Sequence, residues 1–156
     1  MGILISISII TVWLGHLLYA LFYVEPDFSN PFLYLHVLIQ AYLYTGLFIT
    51  GHDAMHGLVA DNRKLNNFFG HLATNLFAFL SFRVLSKKHY LQHRFPATEK
   101  DPDFSPKSNN FFVWWFIFMK NYTTWWQILL MAVTFNILLF RSEERRVGKE
   151  CVSECR

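Results

Sequence analysis

The sequence predicts an all-α, multi-span helical membrane protein, and three observations predict it. Of 156 residues, 53% are hydrophobic and only 16% charged. A soluble domain carries roughly 25% charged residues. The charges are also clustered, so that the runs 2–24, 31–51 and 121–140 contain no Asp, Glu, Lys or Arg. A spanning helix needs about 20 apolar residues, and each of these runs meets that length. Four of the seven histidines then fall in two pairs at helical spacing, next to polar loops.

The first helix is expected over 3–23. It has no basic leader and no clean small-residue cleavage site, so it reads as a retained helix and not a secretion signal. An acidic loop follows, with Glu25 and Asp27, and Pro26, Asn30 and Pro31 break the helix there. The second helix runs from about Phe32 to the region of His56. Asp61, Asn62, Arg63 and Lys64 make a polar turn. The basic loop expected over 87–107 holds Lys87, Lys88, Arg94, Lys100 and Lys107. Basic loops stay cytoplasmic, so the acidic loop lies outside and the second helix runs inward.

The stretch 65–82 is ambiguous. A crossing helix would put the polar turn and the basic loop on opposite sides of the membrane. Asn67, His71, Thr74, Ala78 and Ser81 fall on one face at helical spacing, with Phe68, Phe69, Leu72, Leu76, Phe79 and Leu80 around the rest. The expectation is an interfacial or half-buried helix; the alternative is a spanning helix with a small-residue seam. Beyond Asn110 the chain is rich in tryptophan, which favours membrane interfaces. Lys120, Asn121 and Tyr122 should separate an entry segment from a spanning helix, or form a tight hairpin.

Composition changes abruptly after Phe140. The segment 141–156, RSEERRVGKECVSECR, has no aromatic residue and no hydrophobic period. It is expected to be a non-native read-through tail, and a native solvated tail is the alternative. The membrane domain is therefore 1–140. Cys151 and Cys155 lie within the tail, and their spacing alone is a weak zinc signal. The net charge of +3 does not argue for nucleic acid, because the basic residues sit between apolar runs. The expected partner is the lipid bilayer, with no nucleic acid.

The chemistry lies in two clusters. His52 and His56 are four residues apart at the end of the second helix, with Asp53 between them. On a helix they share a face, about 6 Å apart. Neutral imidazole suits iron, zinc and copper. His89 and His93 repeat the spacing, with Gln92 beside them. Two matched pairs on the same expected side point to a metal site held by His52, His56, His89 and His93. A basic headgroup-binding loop is the blander reading of the second pair. His71 could be a ligand, a hydrogen-bonding partner of a ligand, or a core histidine, and the core reading is favoured. Asp53, Asp101 and Asp103 could accept an imidazole N–H or be solvated loop acids. His36 lies sixteen residues before His52, about 24 Å along a helix, too far to join that site. A haem between His16 and His36 is its functional alternative.

The run HDAMHG at 52–57, the second pair with Arg94, and Asp101-Pro102-Asp103-Phe104 together resemble the bacterial and algal β-carotene ketolases of the membrane fatty-acid-desaturase superfamily. The resemblance covers about residues 1–140. It implies a desaturase-like fold and two non-haem iron ions held by histidines. It also implies O2 activation and an external, ferredoxin-like electron donor. The substrate would be a carotenoid, oxidised at a ring methylene to a ketone. Two departures matter. The family's second box reads HxxHH, and Gln92 stands where that pattern has a histidine. A third HxxHH box is absent, since no histidine follows His93. The expectation is therefore an oxidase truncated before its last helices and inactive as this chain alone. The same chemistry leaves open an acyl-lipid desaturase or a carotenoid hydroxylase. A haem- or metal-binding helical subunit, or a subunit with no cofactor, are the non-enzymatic readings.

Overall fold

The computed structural model describes residues 1–104 and 110–154, with side chains through residue 140. Six helices follow one another: α1 (Gly2–Tyr23), α2 (Pro31–Met55), α3 (Arg63–Ala78), α4 (Phe82–Arg94), α5 (Phe111–Tyr122) and α6 (Trp125–Glu154). Among the described residues, every regular element is helical.

α1 and α2 are long and apolar enough to cross a membrane, with mean hydropathy of 2.0 and 1.5 in their best stretches. Asn30 caps α2 by accepting from Phe32 N, with Pro31 in the first turn, where its missing N–H costs nothing. The two helices form an antiparallel hairpin. Gly2 packs against the backbone of Leu58 and Val59, and a Cβ there would sit 2.6 Å from each carbonyl oxygen. Further along, the Trp13 ring meets Tyr44 edge-on at 5.4 Å. The start of α1 therefore lies beside the end of α2. Leu4, Val12, Leu35 and Leu38 remain exposed on the outer faces, where lipid is the natural cover.

α2 ends at Met55, with His56, the second histidine of the first pair, as its C-cap residue. Gly57 adopts φ +75°, and Leu58 N donates to Asp53 O at 3.0 Å. This left-handed closure needs a residue without a Cβ. Asn62 then caps α3, accepting from Lys64 N at 2.9 Å and Leu65 N at 3.3 Å.

α3 runs back along α2. Asn66 Nδ2 donates to Ala54 O at 2.7 Å, Gly51 lies against Thr74, and Phe77 packs edge-on against Tyr44 and at a tilt against Phe48. From the level of Ala54 to that of Tyr44 is about 15 Å, half of a hydrocarbon core about 30 Å thick. Phe79 closes α3 in the left-handed region at φ 54°, and α4 departs at 100°. Phe82 folds back onto Gly70 and His71, and α4 returns to the end of α2. Burial of Phe82 and Leu85 holds α4 there, worth about 1.5–3 kcal/mol each. Both ends of the α3–α4 pair thus lie beside the end of α2, and the pair descends without carrying the chain across.

Three expectations need correction. The stretch 65–82 is not one helix, because the chain breaks at 79–81 inside the apolar run. The basic loop expected from residue 87 is helical as far as Arg94, since two buried apolar residues suffice to dock its first turn. The buried face of α3 is Asn66, Phe69, Gly70, Ala73 and Thr74, so the inward-facing asparagine is Asn66 and not Asn67. Lys107 of that expected loop lies outside the described residues.

α5 and α6 break after Tyr122, as Lys120-Asn121-Tyr122 predicts, with an 89° bend. Gln127 is buried and donates to Phe79 O at 3.2 Å, tying α6 to the α3–α4 turn. The α6 backbone stays helical across the change of composition at residue 140, as far as Glu154. The side chains of the expected tail, 141–156, lie outside the described ones. The packed core is small: Ala54, Val59, Phe69 and Phe82, at the α2–α3–α4 junction.

Candidate metal centre

That junction carries the two histidine pairs. His52 lies in the last turn of α2 and His56 caps its end, with ring centroids 4.8 Å apart, and His89 and His93 lie on α4 at 4.5 Å. α4 crosses the end of α2 so that His89 comes within 4.6 Å of His52 and 4.8 Å of His56, and His93 within 5.2 Å of His56. His89 Nε2 lies 2.9 Å from His56 Nε2 and 3.1 Å from His93 Nε2. One nitrogen from each of His52, His56 and His89 falls within a 4.8 Å cluster. The four histidines expected as ligands are therefore brought together.

Electrostatics favours the ligating form. Partial burial pushes the His89 pKa below its usual value, and the neighbouring imidazoles of His52, His93 and His56 push it the same way. Gln92 opposes this with a side-chain hydrogen bond to His89. A neutral imidazole with a free lone pair is what a metal binds. Nitrogens facing one another this closely compete for few protons, and a cation between them would relieve that crowding. An all-imidazole donor set fits iron, zinc or copper.

The remaining candidates divide. Asp53 Oδ1 lies 3.7 Å from His52 Nδ1, beyond hydrogen-bond range. Gln92 lines the cavity described below. His71 packs edge-on against Phe82 at 5.1 Å. Asp101 secures its own loop, accepting from Ala97 N at 2.9 Å and Asp103 N at 3.0 Å. Asp103 ties that loop to α5: its carboxylate accepts from Tyr122 Oη at 2.6 Å and its carbonyl from Trp114 Nε1 at 2.8 Å. Burial raises the Tyr122 pKa, and the bond to Asp103 adds to the effect. His16 Nε2 sits 3.2 Å from His36 Nδ1, which leaves no room for a haem between the rings.

An open cavity of about 1960 Å³ lies beside the histidines, walled by α2, α4, α5 and α6. Phe48, Leu85, Phe116, Phe118 and Trp126 make it apolar, and His52, His89 and His93 form its polar end. Ordinary ligand pockets span roughly 300–1,000 Å³, so a long hydrophobic molecule fits with one part against the imidazoles.

Sequence reasoning misses several supports of this site. Asn66 Oδ1 accepts from Val59 N at 3.2 Å and Ala60 N at 3.4 Å, fastening the loop after His56 to α3. Lys88, one residue before His89, places its ammonium 4.2 Å from the Tyr122 ring centre and donates to Asn121 O. Only the polar character of Asn66 within an apolar stretch hints at such a role.

Fold and site together define an integral membrane helical protein with a polyhistidine centre facing an apolar cavity. The chain belongs to the fatty acid desaturase family, which matches residues 29–150. It is 38% identical to a zeaxanthin 4-ketolase of Chlamydomonas reinhardtii, over 88% of this chain and 34% of that protein. It is 34% identical to a β-carotene ketolase of a Paracoccus species, over 85% of this chain and 54% of that protein. A ferredoxin-dependent sn-1 acyl-lipid omega-3 desaturase of Synechocystis is 28% identical over 81% of this chain and 33% of that protein. The chain thus spans between about a third and about half the length of these relatives. No solved structure matches it.

Proposed function

We propose that the protein to which this chain contributes is an O2-dependent carotenoid ketolase, oxidising a ring methylene to a ketone. The observation that carries this reading is the meeting of His52, His56, His89 and His93 at the polar end of a large apolar cavity. The ketolase relatives support the substrate class. We read residues 1–140 as the desaturase-like domain, 141–156 as a non-native tail, and the histidines as lying on the cytoplasmic face.

The residues present fit a metal through four imidazoles, and two non-haem irons would need further ligands. Iron bound there, fed by O2 and a ferredoxin-like donor, would supply the oxidising power that an unactivated C–H bond requires. The chain's own contribution is positional. α2 and α4 hold the four rings against one another. The apolar walls dissolve the polyene and keep bulk water from the reacting carbon. Gln92 keeps a hydrogen bond on His89 in place of a further imidazole.

The test is to purify the chain from β-carotene-accumulating cells and measure iron and co-purified carotenoid, beside His52→Ala with His89→Ala. Iron that disappears in the variant, with carotenoid retained, is the expected result. Iron unaffected by the variant, or a chain free of carotenoid, overturns the reading. The Synechocystis relative keeps an acyl-lipid desaturase as the second reading, and co-purified acyl lipid in place of carotenoid would favour it.

A further inference from the structure

Asp103 gathers two aromatic side chains at the cavity wall. Its carboxylate accepts from Tyr122 Oη at 2.6 Å, and its carbonyl accepts from Trp114 Nε1 at 2.8 Å. Phe118 packs against both rings, with centroids 4.6 Å from Tyr122 and 5.4 Å from Trp114. The Lys88 ammonium lies 4.2 Å from the Tyr122 ring centre. Tyr122 and Asp103 line the same cavity as His52, His89 and His93, and Lys88 directly precedes His89 in α4.

The partner of the hydroxyl sets Tyr122 apart. Tyr34 Oη donates to a backbone carbonyl and Tyr90 Oη accepts from Arg94, and neither partner takes up a proton. A carboxylate does. The 2.6 Å separation is that of a charge-assisted O–H···O⁻ bond and lies within reach for direct proton transfer. A tyrosine that loses an electron becomes a strong acid, so a base at this distance lowers the cost of oxidising it. Lys88 acts the other way on the ring itself, because a cation over its face opposes a second positive charge there. Electron loss at Tyr122 therefore goes together with proton loss to Asp103. Trp114 and Phe118 hold the phenol and the carboxylate in that geometry beforehand. The cavity supplies the need: Met55, Met119, Met131 and Trp126 line it beside the histidines. These side chains are oxidisable, and methionine sulfoxide would turn an apolar wall polar.

We propose that Tyr122 is a redox-active residue that quenches oxidising equivalents at the histidine centre, with Asp103 as its proton acceptor. This rests on the metal reading above. Tyr122 gives one electron to the oxidised metal ion, reducing it by one unit, and the Oη–H bond breaks as its proton passes to Asp103 Oδ1. The neutral phenoxyl radical that remains is reduced by the external electron donor, and the proton returns from Asp103.

The test loads the full chain in lipid nanodiscs with ferrous iron and oxidises it with hydrogen peroxide in the absence of carotenoid. Freeze-quenched samples are read by electron paramagnetic resonance. A tyrosyl radical is expected, and it should be lost in Tyr122→Phe and in Asp103→Asn while iron content stays unchanged. Asparagine still accepts the hydrogen bond through Oδ1 but cannot take the proton, so Asp103→Asn separates proton transfer from packing. A second measurement needs no metal: flash-generated ruthenium(III) tris-bipyridine should form a radical whose Tyr122 share disappears in both variants. Iron present with no tyrosyl radical, or with a radical that survives either substitution, overturns the proposal and leaves the metal reading standing. Iron absent from all three chains, with a flash radical that depends on Tyr122 and Asp103, sinks the metal reading and keeps the Tyr122–Asp103 pair. Without that dependence, it sinks both.

Discussion

At the C-terminal end of α2, His52 and His56 meet His89 and His93 with neighbouring ring centroids 4.5–5.2 Å apart. Deeper along the same helix, His36 meets His16 at 5.4 Å. The spacings are nearly alike, and the chemistry is not. In the α1–α2 seam, the Gln40 oxygen sits against one His16 nitrogen and His36 against the other, so protons fill the chain. At the helix end, three Nε2 atoms face one another beside an open cavity and an aspartate. Ring proximity is therefore not enough to define a metal centre. What matters is whether the nitrogens already have proton-sharing partners, and whether the site opens to solvent and ligand.

The largest effect should come from separating the two groups by mutation. His52→Ala with His89→Ala is expected to lower bound iron at least a hundredfold, to background, by elemental analysis of the purified chain. His16→Leu should leave bound iron unchanged. Iron that follows His16 instead would break the comparison.

The next effect sharpens why the helix-end group forms at all. α3 is pressed against α2 where Gly51 meets Thr74, and even a Cβ on Gly51 would come within 2.8 Å of Thr74 Cγ2. Gly51→Leu should destabilise the α2–α3 contact by about 1–3 kcal/mol and weaken metal binding with it. Thermal melting in detergent, with and without iron, reads both.

Asn66→Ala removes the side chain that serves Ala54 O, Val59 N and Ala60 N. Leaving those backbone groups unpaired should cost about 1–3 kcal/mol. Faster amide exchange at Val59 and Ala60 is the local signature to measure. The smallest effect is expected from Tyr122→Phe, which deletes the bond to Asp103. About 1 kcal/mol of stability should go, with iron content intact. A loss of iron would show that the Asp103 loop acts on the histidines and not only on α5.

Much of this architecture is legible in the amino-acid sequence. The apolar runs 2–24 and 31–51 are long enough to cross a bilayer, and they form α1 and α2. Spacing of four residues can only set His52 beside His56, and His89 beside His93 if that segment is helical. The helicity of 82–94 is not legible, because its polarity matches a loop and its anchorage depends on where Phe82 lands. Asn66 is not legible either: on a helix, a one-residue error turns the inward face by about 100°, and Asn67 stands next to it. Asp101 and Asp103 look like partners of imidazoles in the sequence, yet their oxygens hold the 97–103 loop and α5.

The sequence by itself determined the membrane helices, the two histidine pairs and the end of α2 near His56, because each depends on neighbours a few residues away. Only the tertiary structure decided that His56 and His89, thirty-three positions apart, share one site while His16 and His36 fill each other's nitrogens. It did so through the left-handed turn at Phe79 and the seating of Phe82 on Gly70, which aim α4 back at the end of α2. Packing of that kind couples residues with no periodic relation in the chain, so no local pattern encodes it.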